Sequence, residues 1–476
     1  ALDQVDGASA TYNMAVAIYL QGQFDSQALR QALVALIARH QPLRTIITEA
    51  SDGTPIGRLL PVPSAESILT TLDLTKDFVN DRARAQEKLN DLIKTQAAIP
   101  FDLQHDLPLR AQLTLTSQSD AVLCLTLHHH AGDGLSANII AKELEQAYQS
   151  YKAGQTPDWT PLSIQYSDWA RWQQLTLEDN IEPKLERARK RLADMPELLT
   201  LPVDHPRTAQ REHRAGYLPI QIPAKTVRKL EQLARAQGTT LFTVVLSVYA
   251  ATLSRLAGQN DVVIGAPVAG RTRTDTENLV GLLVNTLALP ITEIGQCSGQ
   301  TLIARTRDCV QHALEDQDLP FERLVEGLNL NRSLMHAPVF QAMLAYQTDA
   351  VPDFKFEGMR CKSTPIDLPT AKFDLILFIG LDAEGNLSGN FEYDADLFEP
   401  KSVAGWNRCL LNLTSALAAT PEQPVQALKL LDEQERQQIV EQASGTIVRT
   451  EPALDTLAAL IDAQVQRNPA VPALVF

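Results

Sequence analysis

A formal charge of −15 over 476 residues, with 42 Lys and Arg against 57 Asp and Glu, argues against a nucleic-acid footprint, and no basic tract interleaved with aromatics offsets it. A hydrophobic content of 45% is ordinary for soluble globular protein, and the length suffices for two or three domains with their own cores, so disorder is not the default. No apolar stretch reaches membrane-spanning length, the N-terminus lacks the basic-then-apolar order of a secretory signal, and the scattered cysteines Cys124, Cys297, Cys309, Cys361 and Cys409 read as packing thiols of a reducing compartment. The expected setting is the cytoplasm, with no membrane and no nucleic acid as partner.

Ala1-Leu2-Asp3-Gln4 opens the chain without an initiator Met and reads as the edge of a piece cut from something longer. Residues 12 to 20 predict a strand, and Phe24-Asp25 leads into a helix with Leu29, Leu33, Leu36 and Ile37 on one stripe. That helix ends in Arg39-His40-Gln41-Pro42-Leu43-Arg44-Thr45, where Pro42 enforces an extended exit. After a variable region from 50 to 95, Gln112 to Thr116 pairs with 121 to 127 through the polar turn Ser117-Gln118-Ser119-Asp120. The run 121 to 127 predicts a buried strand that delivers His128, His129 and His130 to its exit. Gly132, Asp133 and Gly134 then supply a tight turn, and Ser136 is the expected N-cap of a helix carrying Ile139, Ile140, Leu144, Ala147 and Tyr151 on one face.

Three adjacent histidines admit packing, surface, metal-binding and catalytic readings. Metal is disfavoured, because adjacent strand histidines diverge and neither Cys-x-x-Cys nor His-x-x-x-His spacing accompanies them. Strand alternation places His128 and His130 on one side and His129 on the other. An imidazole held at a strand end, with a pKa near neutrality, suits proton transfer.

Residues 195 to 215, with Pro196, Pro202 and Pro206, predict a crossing to a second folded region. There a strand is expected at 216 to 222, helices at 225 to 237 and 240 to 256, and a strand at 340 to 346. Gly385-Asn386 predicts a hairpin turn, and a helix near 400 to 418 closes the region. Alternating helices and strands imply an α/β, layered architecture.

His128 to Gly134 match the HHxxxDG signature, and the chain resembles the condensation domains of nonribosomal peptide synthetases, which are similar in fold to chloramphenicol acetyltransferase. Further segments carry the resemblance: Tyr166-Ser167-Asp168-Trp169, Gly281 to Thr286 against G-x-x-V-N-T, and Asp318-Leu319-Pro320-Phe321-Glu322 against the end of H-Q-D-x-P-F-E. Arg332 to Gln341, Lys372-Phe373-Asp374-Leu375 and Tyr393 to Phe398 extend it. Asp316 replaces the usual His of one motif, Ser333 an acid of another, and His130, Ala131 and Leu135 stand where the family has bulkier apolar residues, which is expected to reshape the tunnel.

The resemblance implies two chloramphenicol acetyltransferase-like lobes, 1–180 and 181–430, in a V-shaped pseudo-dimer with a tunnel between them. A linker over 431–455, with Leu430-Leu431-Asp432-Glu433 and Ser444-Gly445-Thr446, and the start of an adenylation domain over 456–476 would follow. The implied reaction is amide formation between an upstream acyl or peptidyl carrier-protein thioester and the amine of a downstream aminoacyl carrier protein. Both substrates would hang on phosphopantetheine arms, with no metal and no directly bound cofactor. His129 is then the residue for proton handling or amine positioning, and His128 a packing or turn residue. Asp133 acts through structure, with Arg44 as its charge partner, and Gly134 offers a backbone N–H near the reaction centre. Ser136, His130 and Asn285 are candidates for the tunnel, and a structural bond is an equal reading for Asn285. Competing functions on the same fold are epimerisation, a non-catalytic recruitment platform and an acyltransferase using coenzyme A; the adenylation-like C-terminus disfavours the first and retention of His129 the second.

Overall fold

In the computed structural model, residues 10–178, 180–329, 333, 335–347, 354–444 and 456–472 are described. The expectations at Leu2-Asp3-Gln4, Arg332, Leu334, Gly445-Thr446 and residues 473–476 lie outside them. The chain folds as two compact units, Ala1–Leu428 and Lys429–Phe476.

The strands of the larger unit run in chain order as β1 (Asn13–Gln21), β2 (Thr45–Glu49), β3 (Pro55–Leu59), β4 (Leu69–Asp73), β5 (Leu109–Leu115), β6 (Asp120–His128), β7 (Ala215–Ile222), β8 (Val262–Val268), β9 (Asn285–Ile291), β10 (Ala342–Gln347), β11 (Arg360–Pro365), β12 (Leu375–Leu381) and β13 (Leu387–Asp394). Two large sheets result, ordered β11-β1-β6-β5-β4 and β7-β13-β12-β10-β8-β9, and β2 and β3 form a separate hairpin. The region 50 to 95, unpatterned in sequence, supplies β3, the parallel edge strand β4 and a helix over Arg82–Ala97.

The strand β6 is apolar without alternation because it is central and covered on both faces. Leu123, Leu125 and Leu127 enter the core beneath the helices α1 (Ser26–Arg39) and α2 (Gly134–Lys152). Val122 points the other way, against Leu89 and Ile93 of Arg82–Ala97. Each fully buried Leu or Val of this kind contributes roughly 1.5–3 kcal/mol. Asp25 starts α1, its carboxylate accepting from the N–H groups of Gln27 and Ala28.

In the second sheet the parallel strands β8, β10 and β12 meet an antiparallel hairpin partner, β13. Its core is organised on α3 (Leu241–Ala257), started by Thr240 and stopped at Gly258, whose φ of 66° suits glycine. This helix is apolar nearly all round because it is buried nearly all round. Among the described residues no single helix is long and apolar enough to cross a membrane.

Lobe membership is not contiguous in sequence. The strand β11 comes from the later half of the chain yet pairs with β1 of the first sheet, Cys361 opposite Leu20 and Thr364 opposite Ala17. Phe354 and Phe356 likewise join the first lobe's core beside Tyr148. The boundary placed at residue 180 therefore marks the course of the main chain and not the division of the cores.

Candidate active site

The strand β6 ends at His128, opposite Asn13 of β1, and His129–Ala131 continue as a single tight turn. Asn13 fixes this end of the sheet by donating to the carbonyls of Ala97 and Ile99 at 2.7 and 3.0 Å. His128 is buried at 4% exposure, edge-on to Phe101 with centroids 5.7 Å apart. Its Nδ1 stands 2.7 Å from Nδ1 of His130, so one ring carries the proton between them. Burial, with the charges of His130, His129, Lys372 and Arg110 adding to it, pushes the His128 pKa down to about 3. His130 Nε2 also lies 3.3 Å from the Thr45 carbonyl, so its ring is held on both sides.

His129 turns the other way. Its Nδ1 lies 2.9 Å from the Gly132 carbonyl oxygen, which only accepts, so Nδ1 carries the proton and Nε2 of the neutral ring keeps the lone pair. Burial lowers the pKa of His129, and the positive charge of Lys372 lowers it further against the opposing Asp133 carboxylate. The site thus holds one oriented, neutral imidazole with a free acceptor nitrogen.

Asp133, not Ser136, is the N-cap of α2, its Oδ1 accepting from the Ser136 N–H at 2.9 Å. The carboxylate also takes the Ser136 hydroxyl at 2.8 Å and the N–H groups of Leu283 and Val284 at 3.0 and 3.1 Å. Its charge partner is Arg271, bidentate at 2.9 and 3.0 Å. Burial alone would raise the Asp133 pKa, but the Arg271 bonds and charge outweigh it and hold the carboxyl below its ordinary range. The pairing expected with Arg44 is therefore corrected: Arg44 precedes β2, and its Nη1 donates to the Leu60 carbonyl at 2.6 Å, drawn to the exit of the β2–β3 hairpin. Sequence reasoning missed Arg271 as a partner, although Gly270-Arg271 directly follows a strand end; 138 residues separate it from Asp133.

Ser136 is fully buried and completes the junction. Its hydroxyl donates to the Asp133 carboxylate or the Gly281 carbonyl and accepts from the Gly281 N–H at 3.1 Å and from Arg271. Asn285 spends its amide on the carbonyls of Gln317 and Leu319, at 2.8 and 2.6 Å, and its carbonyl on the Phe321 N–H at 3.1 Å. Both side chains are held by structural bonds. Asp316, where the family has His, anchors Arg187 and Arg191 of the helix Ile181–Leu192. Gly134 opens α2, and nothing lies within 4 Å of the position a Cβ would take there, so its backbone is open to approach. Among the described residues no group of three or more His, Cys, Asp or Glu has metal-holding geometry.

A family model described as the condensation domain matches residues 1–440. Malpinin synthetase of Mortierella alpina is 34% identical over 475 residues, covering 100% of this chain and 6% of that protein. Phosphinothricin tripeptide synthetase PhsB of Streptomyces viridochromogenes is 36% identical over 481 residues, covering 99% of this chain and 40% of that protein. The chain thus spans a minor part of either relative. Among solved structures, the X-domain of teicoplanin biosynthesis, in its complex with OxyB, aligns with a TM-score of 0.79 at 26% identity, covering 90% of this chain and 93% of that one.

Proposed function

Because the chain belongs to the condensation-domain family, we propose that it forms an amide bond between an acyl or peptidyl thioester on an upstream carrier protein and the amine of an aminoacyl group on a downstream carrier. The observation that carries this reading is the His129 geometry: Nδ1 committed to Gly132, Nε2 free, and the ring neutral. A neutral acceptor nitrogen fixed at the end of a rigid strand can orient an incoming amine and take its proton. The amine nitrogen attacks the thioester carbon, forming the C–N bond and placing the carbonyl electron pair on oxygen; the C–S bond breaks as the carbonyl reforms, and the amine proton passes by way of Nε2 to the departing thiolate sulfur. No acyl-enzyme is required.

His128 supports this role by packing, and Asp133 by holding the turn. With its carboxylate saturated by Arg271, Ser136 and two backbone N–H groups, Asp133 has no lone pair to spare as a base. Phosphopantetheine arms would carry both substrates to His129 from opposite ends of a tunnel between the lobes. An adjoining adenylation domain and a cytoplasmic setting belong to the same reading.

The match to an X-domain solved with OxyB favours a second reading, a platform that recruits other proteins. Retention of His129 in an oriented, neutral state speaks for catalysis. The deciding experiment loads an upstream carrier with an aminoacyl donor and a downstream carrier with an aminoacyl acceptor and follows the product by intact-protein mass spectrometry. Wild type should give the amide, and His129→Ala should lose roughly 10²–10⁴ of the rate. Carrier binding without product across a broad donor panel would replace catalysis by recruitment.

A further inference from the structure

The amide-forming step builds negative charge on the thioester carbonyl oxygen, and a donor must wait for it. His129 cannot be that donor while Nε2 accepts the amine proton and Nδ1 is spent on Gly132. Two nearby arginines are also committed. Arg271 is bound to Asp133, Ser136 and Leu279. Arg110, whose charge reaches His128, gives its guanidinium to Ile99, Pro100 and Asp106 over the Phe101 ring. Lys372 remains. Its charge bears on both His128 and His129, and among the described residues its ammonium has no ion pair or hydrogen-bond partner.

The backbone around Lys372 is fixed from several directions. The Ile366 N–H donates to Ala15 at 3.2 Å, and the Thr370 and Thr11 hydroxyls meet at 3.2 Å, so this segment runs beside the start of β1. On the other side of β1 lies the histidine strand. Ile366 and Thr370 therefore lie across β1 from the histidine strand, about two strand spacings or roughly 10 Å away, and Lys372 follows Thr370 by two residues. The Tyr217 hydroxyl holds Leu368 at both its carbonyl and its N–H. Ala371 donates to His213 at 2.7 Å, and the Lys372 N–H to the Glu392 carboxylate at 3.3 Å. The backbone that carries the cation is thus held in place before charge develops.

Resting on the proposed condensation reading, we propose that Lys372 is a further catalytic residue of this site, its ammonium donating a hydrogen bond to the donor thioester's carbonyl oxygen as that oxygen becomes the oxyanion. No proton changes owner at Lys372: the oxygen's charge collapses back to the carbonyl when the C–S bond breaks. The titratable groups that interact with it are Glu392, His128 and His129. Burial lowers the Lys372 pKa while Glu392 favours its charged form.

The test uses the full chain with both loaded carriers and compares wild type, Lys372→Met, Lys372→Arg and His129→Ala in kcat, KM for the acceptor carrier, and pH profile. Lys372→Met should lower kcat by about 10²–10³ with KM unchanged. Its acid limb should move to higher pH, because the charge that opposes protonation of His129 is gone. Lys372→Arg should keep measurable turnover and lose the alkaline limb, since a guanidinium does not deprotonate there; this variant decides the matter if Lys372→Met does not fold. A Lys372→Met variant within about twofold of wild-type kcat, or a Lys372→Arg variant whose profile is unmoved, overturns the proposal. A fully active His129→Ala overturns instead the condensation reading beneath it.

Discussion

At the scale of single residues, three adjacent histidines have three different fates, set by what each ring nitrogen meets. His129 is tied at one nitrogen and open at the other, whereas His128 and His130 face each other. The consequence of burying His128 is a pH-dependent stability. Its folded pKa of about 3 lies below the ordinary histidine value of 6.5, so the unfolded chain binds a proton that the folded chain does not. That contribution is fully present above the unfolded value and is lost as pH falls from about 6.5 towards about 3. Urea midpoints taken across this window should fall less steeply for His128→Gln than for wild type. Parallel slopes would mean that the His128 ring protonates freely in the folded protein. His129 and the structural character of Asp133 were legible because a strand, a histidine and a turn are local patterns. The Arg271 partnership was not, because nothing local distinguishes it from Arg44, which also stands at an element's end; only the return of the second lobe's loop chooses between them.

At the scale of elements, the loop between β8 and β9 does as much for the site as the histidine strand. Two glycines let it approach. Gly270 has a φ of 65°, and a Cβ there would run into the Leu283 carbonyl. A Cβ at Gly281 would enter the Tyr166 ring, whose hydroxyl donates to the Leu282 carbonyl at 3.0 Å. The Tyr166 ring thus anchors this loop by packing. Gly281→Ala should cost about 1–3 kcal/mol through this collision and loosen the Ser136–Gly281 pair. Tyr166→Leu in the same chain should return part of that loss, a coupling that thermal melts of the two single variants and the double variant would reveal. Strict additivity would place the collision elsewhere. Element type was readable where a periodic stripe or an unbroken apolar run marked it, as in α1 for the first and β6 and α3 for the second. The edge strand β4 was not, since its pattern of buried and exposed residues depends on pairing with β5, a partner distant in sequence.

At the scale of the whole molecule, the first lobe is incomplete without the second half of the chain. Its sheet takes β11 on the edge beside β1, covering what would otherwise be a long unpaired row of backbone groups next to the histidine strand. Its core takes Phe354 and Phe356, both nearly fully buried, against Tyr148. The same stretch then continues through Ile366 and Thr370 to Lys372, whose charge bears on His128 and His129. A fragment ending at residue 200 would therefore expose the β1 edge and leave the two phenylalanine sites empty, at a cost of about 3–5 kcal/mol for each missing aromatic. Such a fragment should lack a cooperative denaturant transition, and co-expression with residues 201–476 should restore both a single transition and His129-dependent product. A first half that unfolds cooperatively by itself would show that β11 decorates the lobe without completing it. Loss of cooperativity, with rescue in trans, would tie the formation of the histidine site to the folding of the later half of the chain. On that account the histidine strand gains its final geometry only when β11 has paired with β1 beside it.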